Sequence, residues 1–198
     1  MELTHRPVLL RECLEGLAIR PEGTYLDGTL GRGGHAREIA ARLTTGRLLC
    51  IDRDQAALDA ARERLAGVWD RVTLIHGNFG DLAQLLDSRG LTGLDGMLFD
   101  LGVSSPQLDG RDRGFSYRLD APLDMRMDRS EALTAYAVVN QWPQEELKRI
   151  LRQYGEERYA PQIAAAIVKS RALRPIGTTL ELVEVIRGAM PARALREK

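Results

Sequence analysis

The residues best suited to chemistry in this 198-residue chain fall in three short stretches. The first is Tyr25-Leu-Asp-Gly-Thr-Leu-Gly-Arg-Gly-Gly-His35. A short apolar run ends there at Asp27, and Gly28, Gly31, Gly33 and Gly34 punctuate the turn behind it, so the backbone can come close to a ligand. The second is Leu49-Cys-Ile-Asp-Arg-Asp54, an apolar run whose tip carries Asp52. A carboxylate in that place can accept hydrogen bonds from a ribose diol. Asp54 is the better N-cap for a helix from Gln55 to Ala66, which leaves Asp52 for other work. A glycine-rich turn alone, or an Asp after a strand alone, has an ordinary structural reading. Together, at this spacing, they form the strand–turn–helix–strand unit of a nucleotide-type cofactor site.

The glycine spacing also discriminates between cofactors. A dinucleotide turn prefers Gly-x-Gly-x-x-Gly and must leave room for a pyrophosphate. This turn reads Asp27-x-x-x-Gly31-x-Gly33, led by an acidic residue. A carboxylate so placed repels a pyrophosphate and suits an ammonium or sulfonium cation, which favours S-adenosyl-L-methionine over NAD.

The third stretch is Phe99-Asp-Leu-Gly-Val-Ser-Ser-Pro-Gln-Leu-Asp109. It follows the fourth strand candidate, and in open α/β sheets ligands sit outside the carboxyl ends of the strands. Asp100 is therefore expected to face the same crevice as Gly31–Gly34 and Asp52. Backbone carbonyls after it, with the Ser104 and Ser105 hydroxyls, can accept protons from an amine. Taken alone, the segment reads as a serine-rich turn that caps a strand.

These residues need elements to hold them. Strands are expected at Thr24–Asp27, Arg47–Ile51, Val72–His76 and Gly96–Phe99, each a near-continuous apolar run of the kind found in parallel sheets covered on both faces. An amphipathic segment runs from Val8 to Leu17, and helices are expected at His35–Leu43, Gln55–Ala66 and Gly80–Ser88. The pattern is an α/β, doubly wound half-sheet. Residues 102–130 are polar and rich in Gly, Asp, Arg and Pro, with no strand or helix pattern, and a loop of that length is usually functional or disordered. The remainder reads as helical, with Pro143 opening a helix to Tyr154, Pro161 near the start of one to Leu173, and Thr178-Thr-Leu-Glu181 as a capping box. The expected division is 1–105 for cofactor binding and 106–198 for the loop and helices.

Composition narrows the class. Twenty-eight Lys and Arg balance 28 Asp and Glu, so bulk charge makes no case for nucleic acid. Between 169 and 198, seven basic residues face three Glu, an excess available to phosphates or to a solvated helical face. No run of 18 apolar residues and no signal peptide is read, and the expected localisation is cytoplasmic. Cys13 and Cys50 lack a CxxC partner, and Cys50 reads as a buried inert thiol. His5, His35 and His76 have no ligand spacing, so no metal site is expected.

Six motifs then occur together and in order: Asp27-Gly-Thr-Leu-Gly-Arg-Gly-Gly-His35, His76-Gly-Asn-Phe79, Asp100-Leu-Gly-Val-Ser-Ser-Pro-Gln107, Arg113-Gly-Phe-Ser116, Pro122-Leu-Asp-Met-Arg-Met-Asp128 and Tyr154-Gly-Glu-Glu-Arg158. With these the chain resembles the bacterial methyltransferases that methylate the exocyclic N4 of a cytidine in small-subunit ribosomal RNA. The resemblance runs from His5 to the end. It implies a Rossmann-like class I S-adenosylmethionine-dependent sheet of seven strands, with a helical substrate-recognition domain inserted after the fourth. The strands that finish such a sheet are not found in this sequence. Carried over by position, Gly33, Gly34 and His35 line the methionine and ribose of the cofactor, Asp52 takes the ribose hydroxyls, Phe79 packs near the adenine, and Asp100 and Gln107 complete the pocket. Without the resemblance, Phe79 reads as a core residue and Gln107 as a loop residue.

The implied partner is small-subunit ribosomal RNA or the assembled small subunit. For the reaction itself, Asp100 is the expected catalytic acceptor of the amino protons, with the backbone carbonyls after it as the alternative. A target cytosine must be unstacked to react. Phe115 and Tyr117 are candidates to stack on it, and Arg111, Arg113, Arg118, Arg126 and Arg129 to meet phosphates, although Asp109, Asp112, Asp120, Asp124 and Asp128 can pair with them. The competing readings are a NAD(P)-dependent oxidoreductase, a catalytically silent cofactor- or RNA-binding module, and a DNA amino-methyltransferase. The last usually carries a proline pair and an aromatic where this chain has Gly102-Val-Ser-Ser.

Overall fold

A computed structural model describes residues 7–194. The chain divides into two compact units, residues 1–102 and 103–198.

The first unit is an α/β sheet. Its strands β1 (Thr24–Asp27), β2 (Arg47–Asp52), β3 (Val72–His76) and β4 (Gly96–Leu98) pair in parallel in the order β3-β2-β1-β4. The chain thus builds outward from β1 to β3, then returns to lay β4 on the other side of β1. The order reverses between β1 and β4, which is where an open α/β sheet forms its ligand crevice. In register, Asp27 lies beside both Cys50 and Leu98, and Asp52 beside His76.

Alternation along the strands fills both faces of the sheet. Tyr25, Leu48 and Cys50 pack with Ala36 and Ile39 of α2 (Gly34–Ala40) and with Leu58, Ala61 and Leu65 of α3 (Gln55–Leu65). Leu26, Leu49, Ile51 and Ile75 pack on the other face against Leu82, Leu85 and Leu86 of α4 (Leu82–Asp87). This two-sided burial explains why the strands read as continuous apolar runs. A further helix, α1 (Leu10–Leu17), precedes β1 and sets Leu14 and Leu17 against the first of these clusters. Cys50 is fully buried, and burial first, then the neighbouring Asp27 carboxyl, pushes its thiol well above the ordinary range, as befits an inert core thiol.

The strands lie where the sequence places them, with β2 one residue longer and β4 one shorter than expected. The helix expected at 80–88 begins as a single 3₁₀ turn, Phe79–Asp81, because the Asn78 side chain accepts from the Gly80 N–H. Asp54 caps α3 as expected, accepting from Ala56 N–H.

The second unit opens with a short helix, α5 (Ser105–Asp109), inside the stretch expected to lack one. Four helices follow: α6 (Ala135–Gln141), which was not expected as a separate element, α7 (Gln144–Gln153), α8 (Ala160–Arg171) and α9 (Thr179–Ala189). They enclose Val139, Leu147, Ile163, Ala164 and Ile167, with Leu123 and Ile176 from the connecting segments. The Arg171 guanidinium donates to the Val139 and Trp142 carbonyls at the end of α6, and Asn140 exchanges two hydrogen bonds with the Ile176 backbone. The capping box at Thr178 and Glu181 is formed as expected. Replacing Thr178 with Ala should cost about 1 kcal/mol. The amide protons of α9 should then exchange faster, and unchanged exchange would contradict the cap's role. No helix among the described residues is long and apolar enough to cross a membrane.

Candidate cofactor site at the strand carboxyl ends

The glycine turn after β1 is tied to the ends of its two neighbouring strands. Gly28 N–H donates to the Leu98 carbonyl of β4 at 2.9 Å, and Leu30 N–H to the Ile51 carbonyl of β2 at 3.1 Å. Gly31 N–H donates to Asp52 Oδ2 at 2.8 Å, while Asp52 Oδ1 accepts from Asp54 N–H at 2.9 Å. Asp52, which capping by Asp54 leaves for other work, thus links the turn to the end of β2. It fixes the turn, and each carboxylate oxygen keeps a further lone pair for a ligand. Gly31 sits at φ +51°, and a Cβ there would meet only the Thr29 carbonyl at 3.9 Å. Conformation, not crowding, selects glycine at this position, and its side-chain direction is open.

Thr29 joins two of the carboxylate residues. Its N–H donates to Asp27 Oδ1 at 3.1 Å, and its hydroxyl oxygen accepts from the Asp100 N–H at 2.6 Å. Asp27, Thr29, Gly31, Asp52 and Asp100 thus converge on one edge of the sheet. Sequence reasoning missed Thr29, because its role depends on the register of β1 against β4. A Thr29→Val substitution removes the hydroxyl acceptor and should weaken binding of S-adenosylmethionine about fivefold, the effect of one hydrogen bond of about 1 kcal/mol. Calorimetric titration checks this, and an unchanged affinity would remove Thr29 from the positioning set.

The carboxylates differ in environment. Asp27 is 1% exposed, and its carboxyl is pushed up to about 7. Burial is the main cause, opposed by the Thr29 N–H and reinforced by the charges of Asp52 and Asp100. Asp100 is exposed; its backbone N–H is held, but no hydrogen bond or ion pair engages its carboxylate among the described residues.

Other expected site residues fall as follows. Gly33, at φ +74°, packs so closely on α3 that a Cβ would lie 3.3 Å from the Ala61 Cβ, and one at Gly34 would lie 2.6 Å from Pro7. His35 is buried and its Nε2 donates to the Val8 carbonyl at 2.9 Å. These three residues have structural duties at the start of α2. Phe79 is 40% exposed, which corrects its reading as a core residue, and its ring meets that of Phe99 edge-on at 5.5 Å. Phe99 was read only as the end of a strand, yet its ring packs over Gly28, where a Cβ would clash at 2.2 Å. Gln107 lies in the second unit, on a helix and not in a loop. It is buried there, and its Oε1 accepts from the Ser104 N–H at 3.0 Å. Among the described residues no group of three potential ligands could hold a metal ion.

Within the second unit, most of the arginines read as phosphate contacts have other partners. Arg113 donates to the Arg126 and Met127 carbonyls and lies over the Phe115 ring. Arg126 grips Asp124 through both oxygens, and Arg129 pairs with Asp112. Near the end of the chain, Arg171 serves α6, Arg174 pairs with Glu181 and Arg187 with Glu184, while Arg196 and Lys198 lie outside the described residues, as does His5.

Residues 2–198 match the model of the MraW methylase family. The chain is 55% identical over 198 residues to the ribosomal RNA small subunit methyltransferase H of Symbiobacterium thermophilum, with 100% of this chain and 62% of that protein covered. To the protein of the same name from Brevibacillus brevis it is 54% identical over 193 residues, covering 97% and 62%. The chain therefore spans about three fifths of the length of the curated relatives it matches. It also has a weaker similarity to the solved structure of the O-methyltransferase TomG from Streptomyces achromogenes, at 25% identity and TM-score 0.40 over 47% of this chain and 42% of that one. With residues 2–198 matched by one family model, the chain belongs to the MraW methylase family.

Proposed function

We propose that the chain binds S-adenosyl-L-methionine at the carboxyl ends of β1, β2 and β4, and that it serves N4-methylation of a cytidine in small-subunit ribosomal RNA, in the cytoplasm. The observation that carries this reading is the convergence of three carboxylate residues on a glycine turn at the point where strand order reverses. The names of the relatives supply the substrate class, and N4 of cytidine rests on the motif resemblance.

The donor set fits the cofactor's chemistry. Asp27 is a buried carboxyl with two acidic neighbours, and a cation beside it would relieve their mutual repulsion. A pyrophosphate would add to it. The spare lone pairs of Asp52 suit a diol, the open side of Gly31 admits a ligand against the backbone, and the half-exposed Phe79 offers an aromatic surface to adenine. Gly33, Gly34 and His35 form the floor of the pocket by shaping the start of α2. Gln107 is a proposed cofactor residue on the resemblance alone.

When bound, S-adenosylmethionine supplies a methyl group already activated on a sulfonium. The protein's task is then chiefly orientation, an effect that can reach roughly 7–11 kcal/mol. Cytosine's amino lone pair is delocalised into its ring. Asp100 would accept a hydrogen bond from that amino group, localise the lone pair on nitrogen, and take the proton that nitrogen gives up as the N–CH3 bond forms and the S–CH3 bond breaks to leave a neutral thioether. Titration with S-adenosylmethionine and, separately, with NADH tests the cofactor assignment. Saturable binding of the first alone is expected, and binding of NADH alone would overturn it.

A further inference from the structure

We propose that residues 114–121 form a preformed finger whose tip, Tyr117 and Arg118, stacks on a base and contacts a phosphate of the single-stranded RNA around the target. This deepens the RNA reading above and rests on it.

The finger is fixed at both ends. At its start, Gly114 adopts φ +70° and passes so close to the returning segment that a Cβ would lie 2.3 Å from the Pro122 carbonyl oxygen. At its end, Ala121 exchanges bonds with the first residue of α9: Thr179 N–H donates to the Ala121 carbonyl at 2.9 Å, and Ala121 N–H to Thr179 Oγ1 at 3.1 Å. The Thr179 hydroxyl in turn donates to the Leu119 carbonyl at 2.9 Å. Between these clamps, Phe115 is half-buried under the Arg113 guanidinium, centroid distance 5.7 Å, so it anchors the loop and is not the stacking residue. Tyr117 is 73% exposed.

Of the loop arginines, Arg111 and Arg118 make no side-chain hydrogen bond or ion pair among the described residues, and of these two Arg118 lies in the finger. Arg113, Arg126 and Arg129 are engaged with carbonyls and carboxylates inside this segment. The Arg126 bond holds the Asp124 carboxyl below the usual range, as expected of a lasting pair. Arg118 makes no side-chain hydrogen bond or ion pair among the described residues, and it adjoins the exposed ring. An exposed aromatic beside an unengaged guanidinium, on a loop already ordered, is the combination that binds single-stranded nucleic acid by stacking and charge. Prior ordering lowers the entropic cost of forming such a contact.

The test is fluorescence anisotropy of the full chain with a labelled single-stranded RNA octamer containing one cytidine, across a salt series. Tyr117→Ala should weaken binding about 5- to 150-fold, the range associated with one stacked base, while Tyr117→Phe should keep it. Arg118→Ala should reduce the salt slope by about one. Equal thermal melts for the variants would exclude misfolding, and S-adenosylmethionine affinity should be unchanged in all three. Wild-type RNA affinity in Tyr117→Ala would overturn the proposal. Wild-type chain that takes up the cofactor but no RNA would overturn it too, leaving the cofactor assignment standing. Failure to bind either would sink the parent reading.

Discussion

Replacing Asp100 with Asn is expected to lower methyl transfer about 10²- to 10⁴-fold while leaving S-adenosylmethionine affinity within a few-fold. The magnitude is that of a positioned proton acceptor. The split follows from how Asp100 is held. Its place is fixed by a backbone N–H bonded to the Thr29 hydroxyl, which Asn retains, and its carboxylate carries no scaffold bond that the substitution would break. Asp52 is built the opposite way, with both oxygens holding backbone N–H groups, so a change there would disturb the turn itself. Single-turnover rates beside calorimetric affinities separate the two effects. Asp100→Asn with full turnover would contradict the acceptor role, and a large loss of cofactor affinity would reassign the residue to the cofactor alone.

The second large effect concerns Asp27 and pH. A carboxyl moved from 3.8 to about 7 favours its neutral form by about 4 kcal/mol. Between pH 4 and 7 the folded chain keeps a proton that the unfolded chain has released, so stability falls as pH rises through that window and the full cost is present above about 7. Asp27→Asn removes this dependence. The variant should match the wild type in stability at about pH 4 and below, and exceed it increasingly up to pH 8, by an amount reduced by any disturbance of the Thr29 N–H bond. Cofactor binding should move the other way. A cation prefers the ionised carboxylate, so wild-type affinity should rise from pH 6 to 8 with protons released on binding, and in Asp27→Asn it should be weaker and flat. Chemical denaturation and calorimetry in buffers of different ionisation enthalpy measure both. A wild-type affinity independent of pH would contradict the link between Asp27 and the cofactor's charge.

Much of the candidate site is legible in the sequence because it sits at strand ends. Asp27, Asp52 and Asp100 each close or follow an apolar run, and parallel topology carries such ends to one edge whatever the details of packing. Cys50 is legible for a related reason, since a thiol inside a two-sided strand has nowhere to go but the core. What escapes the sequence depends on register and on contacts distant along the chain. Thr29 matters because β4 brings the Asp100 N–H to it from 71 positions away. Phe99 looks like a strand residue until its ring is seen lying over Gly28. Arg113 has the composition of a phosphate binder, but the chain folds back so that the carbonyls of Arg126 and Met127 take its donors. The short helices α5 and α6 lack a long apolar period, and tertiary packing, more than propensity, makes them helical.

The stored asymmetry of the site is also a stability–function trade. A buried carboxyl with two acidic neighbours destabilises the ligand-free chain at neutral pH, and under the proposed assignment the same arrangement would attract a cationic cofactor and reject a pyrophosphate. Sites built in this way are expected where a fold departs from the most stable choice of residues.

The central claim is tested most directly by incubating the chain with methyl-labelled S-adenosylmethionine and small ribosomal subunits, then digesting the RNA and identifying the labelled nucleoside by mass spectrometry. The account predicts label in N4-methylcytidine, reduced at least 100-fold by Asp100→Asn. Label in any other nucleoside, or none at all with the cofactor bound, would contradict it.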